Sequence, residues 1–159
     1  MIDQKALEIH IKFLLIGGGE RETELKQLLR KTGIDYQITG ILEYGDYMNM
    51  LSLCDIGFNI FRWNSKVVQS YKFNDYILSN VYVINNLKGE TADLIEHYDV
   101  GVNVMSCDDL RVNLNQVLTD WNKIRPSLSV RCNQLINDVI DKEKIYTRLE
   151  MNLSKVMAL

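Results

Sequence analysis

The chain holds a single proline, Pro126, so no proline-rich linker marks a domain boundary. Its three cysteines, Cys54, Cys107 and Cys132, are odd in number, far apart and without a CxxC pair. That pattern indicates neither a disulfide framework nor a zinc site. Only two histidines are present, His10 and His97, and neither has a partner at catalytic spacing. A D-x-D pair for a metal-bound diphosphate is missing, as are a Walker A loop and a G-x-S-x-G nucleophile elbow. No apolar run approaches the roughly 20 residues that span a bilayer, and the N-terminus lacks a signal-peptide pattern. There is no excess of positive charge. At a net charge of -3, nucleic acid is not the expected partner.

What is present is the composition of an ordinary folded protein. The apolar share is 47% and the charged share 25%, and 159 residues suffice for one domain with a real core. Charge is unevenly placed. From Thr32 to Phe61 there is no lysine or arginine, against four acids, Asp35, Glu43, Asp46 and Asp55; Arg62, Lys66 and Lys72 then follow quickly. The second stretch is the better place for an anion. The cysteine usage fits a reducing cytoplasm.

Taken in order, residues 4–10 read as the end of a helix. The apolar run from His10 to Ile16 is a buried strand stopped by a tight turn at Gly17, Gly18 and Gly19. Glu20 to Lys31 is helical, with Leu25, Leu28 and Leu29 at helix spacing and Gly33 as a left-handed cap. Tyr36 to Thr39 is a second strand closed by Gly40. Asp46 is placed to cap a short helix through Leu53, with Tyr47, Met50 and Leu51 inward. Asp55 to Phe61 is a third strand, followed by a loop from Arg62 to Gln69. Val81 to Ile84 and Val100 to Val104 are the fourth and fifth strands, with a helix from Thr91 to Tyr98 between them. Three helices follow, from about Asp108 to Trp121, from Ser127 to Asp141, and from Lys142 to the end. Trp121, Ile136, Ile140, Ile145, Leu149 and Leu153 recur there at core-facing spacing.

Strands alternating with helices predict βαβ units, and so an α/β, Rossmann-like parallel sheet of about five strands with an all-helical C-terminal segment. Right-handed crossovers place the loops after the strands at one sheet edge, where open α/β sheets bind ligands. The helix starting at Ser70, Tyr71 and Lys72 lies on that edge. Its first-turn N–H groups and dipole favour a phosphate, and Lys72 adds a positive charge. Asp75, one turn on, can accept hydrogen bonds from a sugar diol. Lys72 and Asp75 also read as an ordinary solvated pair. Trp63 and Tyr71 flank the proposed site. The three glycines do not complete a dinucleotide fingerprint: position 22 is Glu, and the next strand ends Ile38-Thr39-Gly40 with no acid.

These stretches together resemble the C-terminal, nucleotide-sugar-binding half of GT-B glycosyltransferases, in the retaining family 4 group. The likeness runs from about Ile11 to Val156. Phe13-Leu-Leu-Ile-Gly-Gly-Gly-Glu20 is similar to that family's strand and glycine turn, and Ile38-Thr-Gly-Ile-Leu42 to its next strand and loop. Leu51-Ser-Leu-Cys-Asp-Ile-Gly-Phe58 is similar to its third strand. Ser70-Tyr-Lys-Phe-Asn-Asp-Tyr76 with Val81-Tyr-Val-Ile84 resembles its S-x-K-x-x-E-Y stretch. Glu90 to Ile95 with Val100-Gly101-Val102, and finally Lys144 to Val156, resemble its closing segments.

The resemblance implies a single domain over 1–159 that binds a nucleotide-diphosphate sugar. Its sugar would pass to a saccharide or lipid-linked acceptor in cell-surface polysaccharide or lipopolysaccharide synthesis. Ser70, Tyr71 and Lys72 would hold the diphosphate, Asp75 the ribose, and Gly40, Ile41 and Leu42 the base, with Gly17 to Gly19 near the donor. No metal or other cofactor is implied. The cytoplasm, with peripheral association of the full enzyme at the inner membrane face, is the implied location. The chain departs from the family at Val67, where the first acid of a Glu-x7-Glu pair is expected, and at Asn80, Val81 and Tyr82, where G-x-P is expected. The family's first, central strand and its acceptor-binding N-terminal half have no counterpart. The strands at Lys12–Ile16 and Asp55–Phe61 are therefore expected to pair directly, or with a strand or second copy supplied from outside, and the isolated chain is expected to be inactive. An inert nucleotide-binding or interaction module of the same fold is the alternative.

Overall fold

The computed structural model describes residues 10–63 and 70–141. Among these, five short parallel strands alternate with helices as the sequence predicts, and the chain divides into two compact units, Met1–Cys54 and Asp55–Leu159.

The first unit contains β1 (Lys12–Leu15), α1 (Glu22–Thr32), β2 (Asp35–Ile38) and α2 (Tyr44–Leu51). β1 and β2 pair in parallel, with Lys12 opposite Asp35 and Leu15 opposite Ile38. α1 has Glu22 and Glu24 in its first turn and Arg30 and Lys31 in its last, which suits the helix dipole. It stops at Gly33, whose φ of 67° is the left-handed conformation that glycine adopts without a Cβ clash. α1 buries none of its residues fully, and Leu28 remains 60% exposed. The predicted cap of α2 is displaced. The helix starts at Tyr44 after Glu43, in extended backbone, and Asp46 lies inside the first turn, where its charge complements the dipole without capping.

The second unit contains β3 (Ile56–Asn59), α3 (Tyr71–Leu78), β4 (Tyr82–Asn85), α4 (Glu90–Tyr98), β5 (Gly101–Asn103) and α5 (Cys107–Leu135), which ends in one π-helical turn, Ile136–Ile140. The strands form a parallel sheet in the order β3-β4-β5. β4 is central and buried along its length, which is why Tyr82-Val-Ile reads as a continuous apolar run. Phe73 and Ile77 of α3, Val83, Ile95, Val100 and the α5 residues Val117, Leu128, Cys132 and Leu135 form the core. Burying each large apolar side chain stabilises the fold by about 1.5–3 kcal/mol. β5 lies so close to β4 that a Cβ on Gly101 would stand 2.1 Å from the Val83 carbonyl oxygen. Only glycine fits there.

The five strands form two sheets, of two and three strands, rather than the one expected. β1 pairs with β2, and direct pairing of β1 with β3 does not occur among the described residues, which leaves the other expectation, a strand or second copy supplied from outside.

The predicted break between Trp121 and Ser127 is also absent. α5 runs unbroken through Pro126, which removes one backbone donor but not the helix. A hydrophobic face keeps α5 whole: Val117, Leu128, Cys132 and Leu135 are buried on it, with Trp121 and Ile124 packed beside them. Arg131 secures the region by donating from Nη2 to the Ile124 carbonyl at 3.0 Å and pairing through Nη1 with Asp99. At the other end Ser106 caps α5, accepting from the Asp109 N–H at 3.1 Å, while Asp109 accepts from the Met105 N–H at 2.7 Å. Ile136 and Ile140 pack against the core as expected. Ile145, Leu149, Leu153, Lys66, Val67 and the helical reading of residues 4–9 lie outside the described residues.

Candidate functional site

Each strand of the second unit's sheet ends in asparagine. The register sets Asn59 opposite Asn85 and Asn85 opposite Asn103, so the three amides stand in a row at the C-terminal edge. Asn59 Nδ2 donates to Asn85 Oδ1 at 2.9 Å, and Asn85 Nδ2 donates to Asn103 Oδ1 at 2.8 Å. Asn85 Nδ2 also donates to the Leu87 carbonyl at 2.8 Å, and Asn85 Oδ1 accepts from the Leu87 N–H at 3.1 Å. That fixes the loop leaving β4. Asn103 Nδ2 reaches α4, donating to the Ala92 carbonyl at 3.0 Å and to Glu96 Oε1 at 3.1 Å. Asn59 and Asn85 are wholly buried, and a buried amide is tolerated when its donors and acceptors are paired.

The row extends to the start of α3. Ser70 has the extended backbone of an N-cap (φ -108°, ψ 125°), yet its hydroxyl does not cap the helix. It is buried and donates instead to Asn59 Oδ1 at 2.8 Å. Its carbonyl accepts from the Phe73 N–H at 3.0 Å. The beginning of α3 is thus fastened to β3 from behind, and the Ser70 hydroxyl does not occupy the donors of its first turn.

Lys72 is exposed, its ammonium 5.3 Å from the centre of the Phe61 ring. Asp75, one turn further, is half-buried. Tyr71 is 90% exposed and Trp63 51%, so neither belongs to the core. Asn86, next to the row, grips the loop after β3 with both ends of its amide. Its Nδ2 donates to the Phe61 carbonyl at 2.7 Å and its Oδ1 accepts from the Phe61 N–H at 2.8 Å.

The other candidate residues belong to the first unit. Past the ends of β1 and β2, Gly17 and Gly40 form an antiparallel bridge, with the Gly17 N–H donating to the Gly40 carbonyl at 2.9 Å. The turn Gly17–Gly19 and the loop Gly40–Leu42 therefore meet, and Ile41 points outward, 88% exposed. Beside them lies an open groove of about 700 Å³ lined by Leu15, Ile16, Leu25, Leu28 and Ile38, with Arg21 and Glu24 paired on its rim.

The structure thus gathers the sequence-predicted residues into two groups. Gly17–Gly19 meet Gly40–Leu42 in one unit, and Ser70, Tyr71, Lys72 and Asp75 share one helix start in the other. The asparagines are what sequence reasoning missed. Their signal was available: Phe58-Asn59, Ile84-Asn85 and Val102-Asn103 each end an apolar strand with the same residue. Among the described residues no helix is long and apolar enough to cross a membrane, and no group of three or more His, Cys, Asp or Glu side chains could hold a metal ion. No family model, no curated protein and no solved structure matches this chain.

Proposed function

We propose that this chain is the donor-binding domain of a retaining glycosyltransferase that takes a nucleotide-diphosphate sugar. The observation that carries the reading is the start of α3. It follows β3 at the C-terminal edge of a parallel sheet, with Lys72 in the first turn and Asp75 one turn beyond. Ligands of open α/β sheets bind at that edge. Lys72 and the first-turn N–H groups suit a diphosphate, and Asp75 suits a ribose diol.

In this reading the chemistry is leaving-group stabilisation. As the glycosidic bond to the diphosphate lengthens, negative charge grows on the phosphate oxygens. Fixed donors and a lysine aimed there stabilise that charge more than the ground state. The whole enzyme would place a saccharide or lipid-linked acceptor against the sugar, in polysaccharide or lipopolysaccharide assembly. Val67, in place of the first acid of the family's pair, favours the second reading, an inert module that binds nucleotide through the same helix start without transfer.

Calorimetric titration with UDP, GDP, ADP and their sugars tests the binding. One nucleotide diphosphate should bind, and Lys72→Ala and Asp75→Ala should each weaken it roughly ten-fold or more, the worth of a charge-assisted hydrogen bond. Binding that neither substitution weakens would sink the proposal. A transferase assay with the bound nucleotide's sugar then separates enzyme from inert module.

A further inference from the structure

We infer that Asn86 is a positioning residue for Lys72, acting through the Phe61 ring. The inference rests on the reading of Lys72 as the group that meets the phosphates, and adds how a flexible side chain is aimed there. Paired backbone between β3 and β4 ends with the Asn86 N–H donating to the Asn59 carbonyl at 3.4 Å. Beyond that point the chain after β3 turns away, and a loop residue would ordinarily lose its backbone partners. Asn86 replaces them. Its side-chain amide offers one donor and one acceptor at the spacing of a peptide group, and both are used on the same residue: 2.7 Å to the Phe61 carbonyl and 2.8 Å from the Phe61 N–H. The sheet is in effect extended by one place with a side chain.

Only an amide can do this. Aspartate at position 86 would lose the donor and set a carboxylate against the Phe61 carbonyl. Leucine would leave both Phe61 groups unpaired in a half-buried setting.

The consequence falls on Phe61, and from there on Lys72. With its backbone held at both polar groups, the Phe61 ring is a fixed surface. The Lys72 ammonium lies over that ring at 5.3 Å, within cation–π range. A lysine stem has four rotatable bonds and no preferred direction in water, so an underlying ring narrows where its charge resides. Ser70, fastened to Asn59, fixes the backbone from which Lys72 projects. The lysine is thereby fixed at both ends: its Cα by the asparagine row, its ammonium by Asn86 through Phe61. The aim of that charge is set by the loop leaving β4, which carries none of the site's own ligand groups. Because the device acts on the lysine alone, it affects phosphate affinity and leaves affinity for the nucleoside untouched.

The test uses the full chain with lysines carrying ¹³C-methyl groups, which keep their charge. The Lys72 resonance is identified by its loss in Lys72→Arg. In the wild-type chain the Phe61 ring current should hold this resonance apart from the other lysines. Asn86→Leu and Phe61→Leu should each return it toward them, and Phe61→Tyr, which restores a ring face, should bring the separation back. In parallel, calorimetry with UDP, GDP and ADP against the corresponding nucleosides should show diphosphate Kd rising about two- to five-fold in Asn86→Leu and Phe61→Leu. That is the ratio set by about 0.5–1 kcal/mol of side-chain ordering that the free protein has already met. Phe61→Tyr should bring the affinity back, and nucleoside Kd should be unchanged throughout.

A Lys72 resonance that stays in place in Asn86→Leu overturns the inference whatever the nucleotide does. A resonance that moves while diphosphate affinity does not overturns the positioning role and spares the nucleotide reading. A wild-type chain that binds none of the three nucleotides overturns both. Should Asn86→Leu fail to fold, Asn86→Asp, which keeps size and acceptor but loses the donor to the Phe61 carbonyl, takes its place, and a Lys72 resonance that stays put there overturns the inference.

Discussion

Asn59 and Asn85 stand side by side at the ends of neighbouring parallel strands, 26 residues apart in the chain, and one amide donates to the other over 2.9 Å inside the protein. Asn85 uses both its donors and accepts twice, so it carries four bonds. Asn85→Leu would strand Asn59 Nδ2, Asn103 Oδ1 and both Leu87 backbone groups. A loss of about 2–4 kcal/mol is expected in urea denaturation. A loss below about 0.5 kcal/mol would show that the row contributes little.

Gly101 and Gly33 test two different demands on glycine. At Gly101 an added methyl meets the Val83 carbonyl oxygen, and the strand must move. Gly101→Ala should cost about 2 kcal/mol or more and lower expression. At Gly33 nothing lies near the added methyl, and only the left-handed φ resists it. Gly33→Ala should cost about 1 kcal/mol, and Gly33→Asn clearly less. Equal costs at the two sites would contradict this division.

Pro126 interrupts the hydrogen bonding of an exposed stretch of α5 while the buried face of that helix keeps its course. Pro126→Ala restores a backbone donor without disturbing packing. A rise of about 1–3 kcal/mol is expected by thermal or chemical denaturation, bounded by the intrinsic difference between the two residues in a helix. A lower Tm for Pro126→Ala would mean that the proline sets a bend the core requires.

Burial pushes the Cys132 thiol up from an ordinary 9.0 to about 11, with Arg131 opposing weakly. The unfolded chain releases this proton near pH 9 and the folded chain holds it to about pH 11. Between those values the native state binds the extra proton, so stability falls as pH rises. Tyr82 acts in the same direction at higher pH: burial and the charge of Asp99 raise it, and Arg131 opposes. Denaturation curves from pH 8 to 11 should show this decline, and Cys132→Ala should flatten its lower part. An unchanged slope in Cys132→Ala would assign the decline to other groups.

Much of this fold was legible in the residues because its signals are local. Mostly apolar runs of four to seven residues between helical stretches indicated five parallel strands. Gly33 gave the end of α1, and Ser70 the start of α3. The misreadings share a cause. The predicted break between Trp121 and Ser127 fails because the packing that holds α5 together is spread over Val117, Leu128, Cys132 and Leu135. Whether five strands make one sheet or two depends on partners distant in sequence, on which periodicity is silent. The candidate site divides in the same way. Lys72 and Asp75 could be found from one stretch, since they stand three positions apart on one helix. The amides that hold this stretch leave a fainter trace, an asparagine at the end of three apolar strands. Asn59, Asn85 and Asn103 look like polar punctuation until parallel register lines them up.

The asparagine row also bears on how the strands find their alignment. Apolar side chains tolerate sliding, because one valine replaces another with little penalty. Amides do not. If β4 slipped by one residue against β3, Asn85 would turn to the other face of the sheet. Asn59 and Asn103 would lose Asn85 together, at about 1–3 kcal/mol for each buried group left unpaired. The penalty for a one-residue slip is about twice the net gain from the right pairing, which is about 0.5–1.5 kcal/mol per bond. The row works as a proofreading step for a sheet whose apolar strands alone would accept more than one offset.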